Sequence, residues 1–424
     1  MVKHHHNETK PLEKLKGEPR KEMSKSRMPT WFSLILLGVG LLGVAIPGLF
    51  VYMRVTATKV HPDSRKIPSV IGSPPPAEWA GAAEQARQIV QTSISENNLA
   101  GLSIAVGIDG EIVWTEGFGF ADIENRAPVT PSHRFRTGTA SIVLTSAAIG
   151  LLLDEGRLKL DDEVQKYVPD FPDKQWPVTI RQVMGQVAGF KTEDPDNGVL
   201  TSSHCARPAD AVALFAKEPL SFQPGTQYCD STFGWVLLSA VVEAAADTPF
   251  ATLLNERVLR PLGMVDTFKE SVTNPPSGAA TSYNPRFAAK PTFGLIPLPK
   301  FDYSCHAGSN GFLSTPSDLV RFGMAINRGK LLRPQTVKML QTPQRLASGE
   351  QTSYGLGWQL KTVTLAGQQV QAAGHDGHFW VEEVASLLTF PERGLAVAVM
   401  SNVSFAGTPS VAERIAEAFA EAGK

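Results

Sequence analysis

Cysteine is scarce in this 424-residue chain, with three residues, Cys205, Cys229 and Cys305. An odd number excludes a fully paired disulfide framework, so at most one bridge forms, and unlinked loop residues are the preferred reading. Cys-x-x-Cys spacing is absent. The pairs His204-Cys205 and Cys305-His306 are therefore weak zinc ligands, and neither a metal nor a cofactor is implied. Charge of one sign is also lacking: 40 basic against 41 acidic residues leave a net charge of −1, which carries no bias toward nucleic acid. No internal repeat interrupts what is otherwise ordinary globular composition, and the length allows a large core with two sub-domains.

Charge is missing altogether between Trp31 and Met53, a run long enough to cross a bilayer core of about 30 Å. Trp31 and Tyr52 stand near its ends, where interfacial aromatics belong. A cleaved signal peptide competes, but the run is long for one and no small-x-small site follows closely, so a single-pass anchor is expected. Residues 1–30 read as a disordered basic tail, 31–53 as the anchor, 54–76 as a Pro-rich linker ending in Pro74-Pro75-Pro76, and 77–424 as the folded domain. The Gly38, Gly40, Gly43 spacing matches a dinucleotide fingerprint only as a string, since no strand precedes it. Basic residues are denser before the span than after it. The N-terminus is therefore expected in the cytoplasm and the C-terminal domain outside, in a bacterial periplasm.

Within the domain, residues 77–97 read as a helix. The runs Gly101–Val106 and Glu111–Trp114 flank Asp109-Gly110, a hairpin signal. Helical patterns follow near 141–155, 179–186, 208–217, 233–246, 248–258 and 316–328. Strands return at Glu383–Phe390 and Leu395–Met400, before a closing helix that Thr408-Pro409 introduces as N-cap and first turn. The expected fold is α/β of the α+β kind. An antiparallel sheet is built from the N- and C-terminal strands, flanked by helices, with an inserted, mostly helical sub-domain over about 141–345. The default site is the cleft between these lobes.

One stretch organises the rest, Phe135-Arg136-Thr137-Gly138-Thr139-Ala140-Ser141-Ile142. A loop enters Gly138 and hands over to a buried helix, so a hydroxyl there is either a plain N-cap or a nucleophile at the positive helix end. Many ordered segments (Leu152–Leu158, Tyr167-Val168-Pro169, Pro224-Gly225-Thr226, Pro261–Met264, Gly311–Thr315, Tyr354–Trp358) make the chain resemble the serine β-lactamase and penicillin-binding-protein-like hydrolases. The likeness lies on the class C and esterase side, near the β-lactamase-like LACTB group, and covers about 100–402.

That resemblance implies three motifs. Ser-x-x-Lys would put an amine one helical turn from the nucleophile; here the two positions hold Thr139 and Ile142. Tyr-x-Asn, or Tyr-Ser-Thr, falls on Asp230-Ser231-Thr232, with Asp230 at the tyrosine position and Thr232 retained. Placing Tyr228 there misaligns the flanking segments. His-x-Gly is present as His375-Asp376-Gly377, and the backbone N–H groups of Thr139 and His378 would form an oxyanion hole. Neither Ser-x-x-Lys nor Gly-x-Ser-x-Gly occurs anywhere, so the nucleophile motif has not moved. Gln186 stands where the family's helix more often ends in His, a position that shapes the fold near the site.

The expected function is a membrane-anchored, catalytically impaired member that binds a small-molecule or peptide ligand between the lobes. The alternative is an altered acyl hydrolase, an esterase or peptidase, using Thr139 as nucleophile with Asp230 as base and His375 as proton shuttle. Whether the chain is an enzyme is left open by its sequence, as is its oligomeric state.

Overall fold

The computed structural model describes residues 45–191, 198–270, 277–299, 301–379 and 382–423. The chain divides into two compact units, one ending at Tyr52 and one covering Met53–Lys424. Of the first unit, the described residues belong to helix α1 (Ala45–Val55), with Ile46, Leu49, Phe50, Val51 and Tyr52 exposed. The anchor expected over 31–53 lies mostly outside the described residues. Among those described, no single helix is long and apolar enough to cross a membrane.

The second unit begins with β1 (Ser69–Ser73), α2 (Ala80–Asn97), β2 (Gly101–Ile108), β3 (Glu111–Asp122), β4 (Ala127–Pro128) and β5 (Phe135–Arg136). Helices dominate next: α3 (Ile142–Asp154), α4 (Ile180–Met184), α5 (Pro208–Phe215), α6 (Thr232–Ala246) and α7 (Phe250–Leu254). Short strands β6 (Phe268–Lys269), β7 (Tyr283–Pro285), β8 (Leu295–Pro297) and β9 (Phe312–Ser314) precede α8 (Pro316–Asn327) and α9 (Pro334–Leu340). The chain closes with β10 (Gln359–Leu365), β11 (Gln368–Phe379), β12 (Glu382–Phe390), β13 (Leu395–Ser401) and α10 (Thr408–Ala422).

The main sheet has the order β1-β3-β2-β13-β12-β11-β10, every pair antiparallel. N- and C-terminal strands thus meet at β2–β13, as the sequence pattern implies. Alternation along β13 divides the core. Leu395, Val397 and Val399 join α2 and α10 on one face, while Ala396, Ala398 and Met400 join the helical lobe on the other. Small side chains on that second face let α8 lie close to the sheet. The hairpin turn adopts left-handed backbone at Asp109 (φ 51°) and Gly110 (φ 93°), the type I′ geometry that matches strand twist. The inserted segment is mostly helical but also supplies β6 and β9, which join β5 in a three-stranded sheet, and the β7–β8 pair, whose Tyr283 and Leu295 pack with the core of α2 and α10.

Three expectations are corrected. Residues 54–76 are not a free linker: β1 pairs with β3, and His61 stacks on Phe120 at 5.0 Å. The signal was weak because five residues of Ser-Val-Ile-Gly-Ser carry little alternation. Gly407, at φ 66°, occupies the N-cap of α10, so Thr408 is its first helical residue. Cys205 and Cys305 form a disulfide across 100 residues, leaving Cys229 free; tertiary proximity, invisible in spacing, brings the pair together.

Candidate functional site

The site is built where the turn before α3 meets β11. Residues Gly138–Ser141 form a 3-10 turn that continues into α3. Two glycines permit backbone-to-backbone approach. A Cβ on Gly138 would lie 2.6 Å from the His378 carbonyl oxygen, and one on Gly377 would lie 2.0 Å from that of Thr137. Any side chain at either position would drive the turn off the strand.

Thr139 bridges this contact. Its hydroxyl donates to the Asp376 carbonyl oxygen at 3.1 Å and accepts from the His378 N–H at 2.9 Å. A hydroxyl has one proton, and here a main-chain carbonyl holds it. The same carbonyl lies 2.8 Å from His375 Nδ1. Because a carbonyl only accepts, Nδ1 must carry the ring proton, which leaves Nε2 as an acceptor. Tyr354 Oη, 3.0 Å from Nε2, is then the donor. The chain of bonds therefore runs Tyr354 to His375 to the Asp376 carbonyl, which Thr139 approaches from the other side. Burial pushes the His375 pKa below its ordinary value of 6.5, so the ring is neutral at neutral pH.

Around this line the other predicted residues gather unequally. Asp230 accepts from Tyr228 Oη at 2.6 Å, and its charge acts on both Tyr354 and His375. Burial, followed by the charge of Asp230, raises the Tyr228 pKa well above its usual value, so the phenol stays protonated. Ile142 is 2% exposed and packs into the core of the helical lobe, with no group able to take a proton. Thr232 opens α6 behind the N-cap Ser231. The carboxylate of Asp376 accepts from Ser386 Oγ at 2.6 Å, and its N–H donates to Gln359.

Sequence reasoning did not single out Tyr354, which reaches His375, and Tyr228, set aside for the tyrosine position, stands beside Asp230 as its donor. Tyr354 is 1% exposed, and the centroids of the two rings lie 5.7 Å apart with the planes tilted by 54°. Gln186 shapes the fold near the site, as its position implies. At φ 61° it accepts the Ser231 N–H on its side chain and the Cys229 N–H on its carbonyl, which fixes the Asp230 loop. Ser141, two residues on from Thr139, turns away, its single hydroxyl proton shared between the Gly138 and Ser309 carbonyls at 3.0 and 3.2 Å. Among the described residues no group of three or more His, Cys, Asp or Glu is placed to hold a metal ion.

A family model described as Beta-lactamase matches residues 86–421, most of the chain and all of this site. The chain belongs to the β-lactamase family. Within it, it falls with the serine β-lactamase and penicillin-binding-protein-like proteins. The chain is 26% identical to the human serine beta-lactamase-like protein LACTB, mitochondrial, over 80% of each chain. It is also 26% identical to penicillin-binding protein 4* of Bacillus subtilis (strain 168), over 62% of this chain and 60% of that one. Solved structures share the fold. The D-amino acid amidase of Ochrobactrum anthropi SV3 superposes with a TM-score of 0.68 at 22% identity, covering 81% of this chain and 99% of the amidase. The octameric penicillin-binding protein homologue of Pyrococcus abyssi gives 0.66 at 24%, covering 78% and 76%.

Proposed function

We propose that this β-lactamase-family protein binds a ligand at the β11 site and is impaired in acyl transfer. The observation that carries this reading is the commitment of the Thr139 proton to the Asp376 carbonyl. A nucleophilic hydroxyl needs a base within reach. Here the residue one turn on is the buried Ile142, and His375 presents a protonated Nδ1 to the carbonyl while Tyr354 occupies its Nε2. The His378 N–H, expected to stabilise an oxyanion, is spent on Thr139 as well. In serine hydrolases, loss of a triad member costs on the order of a millionfold in turnover, roughly 8 kcal/mol. Asp230 and the exposed Tyr228 ring beside it suit a cationic or hydroxylated small molecule or peptide.

On this reading the domain is anchored by residues 31–53 and lies outside the cytoplasm. The Cys205–Cys305 bridge supports an oxidising compartment.

The test is covalent labelling. The full chain is incubated with a fluorophosphonate, a β-lactam and nitrophenyl esters, and intact mass and turnover are recorded beside Thr139→Ala and Asp230→Ala. No adduct and no turnover is expected. An adduct that Thr139→Ala abolishes would overturn the proposal in favour of the altered hydrolase.

A further inference from the structure

Residues 53–61, which begin at the last residue of the expected anchor, are stitched to the domain. Arg286 Nη2 donates to the Met53 carbonyl and to Thr56 Oγ1, both at 2.8 Å. Asn98, held in left-handed backbone at the end of α2, accepts the Val60 N–H at 2.9 Å. The same side chain donates to the Thr58 and Pro291 carbonyls at 3.3 and 3.0 Å. His61 Nε2 lies 3.0 Å from the Ala100 carbonyl oxygen. A strap held at Met53, Thr56, Thr58, Val60 and His61 leaves no slack for a tether.

The strap lies against the connection between β7 and β8, through Arg286 and Gly294, and both segments are basic. Residues 53–66 contain Arg54, Lys59, Arg65 and Lys66 against one acid, Asp63, while residues 283–297 contain Arg286 and Lys290 and no acid. Asp63 pairs with Arg65, so the surplus is carried by the exposed Arg54, Lys59, Lys66 and Lys290. The same two segments also expose large apolar side chains, Val55 at 78% and Ile296 at 45%. Cations interleaved with exposed aliphatics suit the headgroup region of an anionic bilayer.

We propose that this strap and the β7–β8 face form a lipid-docking surface that seats the domain on anionic headgroups instead of letting it swing on a linker. The proposal rests on the anchor reading of residues 31–53. Chain connectivity then brings the end of the span to the first residue of the strap, within reach of the basic face.

The test uses the full chain in lipid nanodiscs, of zwitterionic lipid alone or with about 30% anionic lipid, read by hydrogen–deuterium exchange. Exchange in peptides covering 56–66 and 286–297 is expected to slow about fivefold or more in the anionic discs, the factor that about 1 kcal/mol per cation supplies for even one charge. Salt of about 0.5 M should reverse this, and the combined Lys59→Glu, Lys66→Glu and Lys290→Glu variant should abolish it. Alkaline carbonate extraction separates the two layers of argument. Release of the chain from vesicles overturns the anchor and the docking surface with it. Retention with exchange that ignores lipid charge overturns the docking surface alone. Protection that follows protein concentration points to a second copy on this face and also overturns it.

Discussion

Replacing Thr139 by valine keeps the branched shape and removes the hydroxyl that joins the turn before α3 to β11. Two hydrogen bonds disappear, one to the Asp376 carbonyl and one from the His378 N–H. The carbonyl keeps His375 as a partner, but the N–H is left without its acceptor. Each lost bond is worth about 0.5–1.5 kcal/mol, and a fully buried orphan adds about 1–3 kcal/mol. Thr139 is only half-buried, so water can reach the N–H, and a net loss of about 1–2 kcal/mol is expected. In a domain of this size that lowers the melting temperature by roughly 1–3 °C. Scanning calorimetry and urea midpoints measure it, with Thr139→Ser as the control that keeps both bonds and stays near wild type. A valine variant within about 0.5 kcal/mol of wild type would refute the clip, since that is the range of substitutions that touch nothing. A serine variant that gains a covalent adduct would refute it differently, by showing that only the threonine methyl obstructs attack.

Other consequences follow from buried charge and covalent linkage. Burial holds His375, His61 and His133 below the ordinary 6.5, so the unfolded chain binds more protons below that pH; stability should be full above about pH 6.5 and fall as pH drops through it, less steeply in His375→Gln, as urea midpoints will record. The Glu116 carboxylate is fully buried and accepts from Arg87 Nε, Arg87 Nη2 and Trp114 Nε1; Arg87 keeps Glu84 as a partner, so Glu116→Ala should cost about 1–3 kcal/mol, chiefly by leaving the buried Trp114 Nε1 without an acceptor, whereas an unchanged midpoint would show that water reaches the indole. Reduction of Cys205–Cys305, which closes a 100-residue separation, should cost about 2–4 kcal/mol in unfolding measured with and without reductant.

What could be read from the sequence was local. Asp109-Gly110 specified its turn because only a few residue types adopt left-handed backbone at two successive positions. Gly138 marked the loop-to-helix junction, and His375-Asp376-Gly377 marked a strand that the fold places against it. The remainder depends on contacts between distant segments. Tyr354 reaches His375 across 21 residues, Gln186 reaches Ser231 across 45, and Arg286 reaches Met53 across 233. No periodicity reports such pairings, because each partner sits in a locally unremarked position. Composition misled over 54–76 for the same reason: prolines there describe how the chain bends, while Asn98 and Arg286 decide where it lies.

The geometry at Thr139 also changes how a hydroxyl at that position should be weighed. Gly138 and Gly377 bring turn and strand together so closely that no side chain fits between them, and the His378 N–H and the Asp376 carbonyl face the gap. Some group must satisfy that donor, and a small hydroxyl at 139 does so while answering the carbonyl as well. The hydroxyl therefore has a place in the hydrogen bonding of the fold whether or not chemistry takes place. Its presence says nothing for catalysis. The positions that discriminate are those whose side chains the fold does not need to be polar. Residue 142 faces the core, where isoleucine packs without cost and an amine would have to be desolvated. Residue 230 carries a carboxylate whose neighbour Tyr228 already donates to it. If the proposed impairment holds, restoring proton transfer calls for changes at 142 and 230 together, with Thr139 left as it is. A double Ile142→Lys, Asp230→Tyr variant that acquires a fluorophosphonate adduct, where each single variant does not, is the result this reasoning expects.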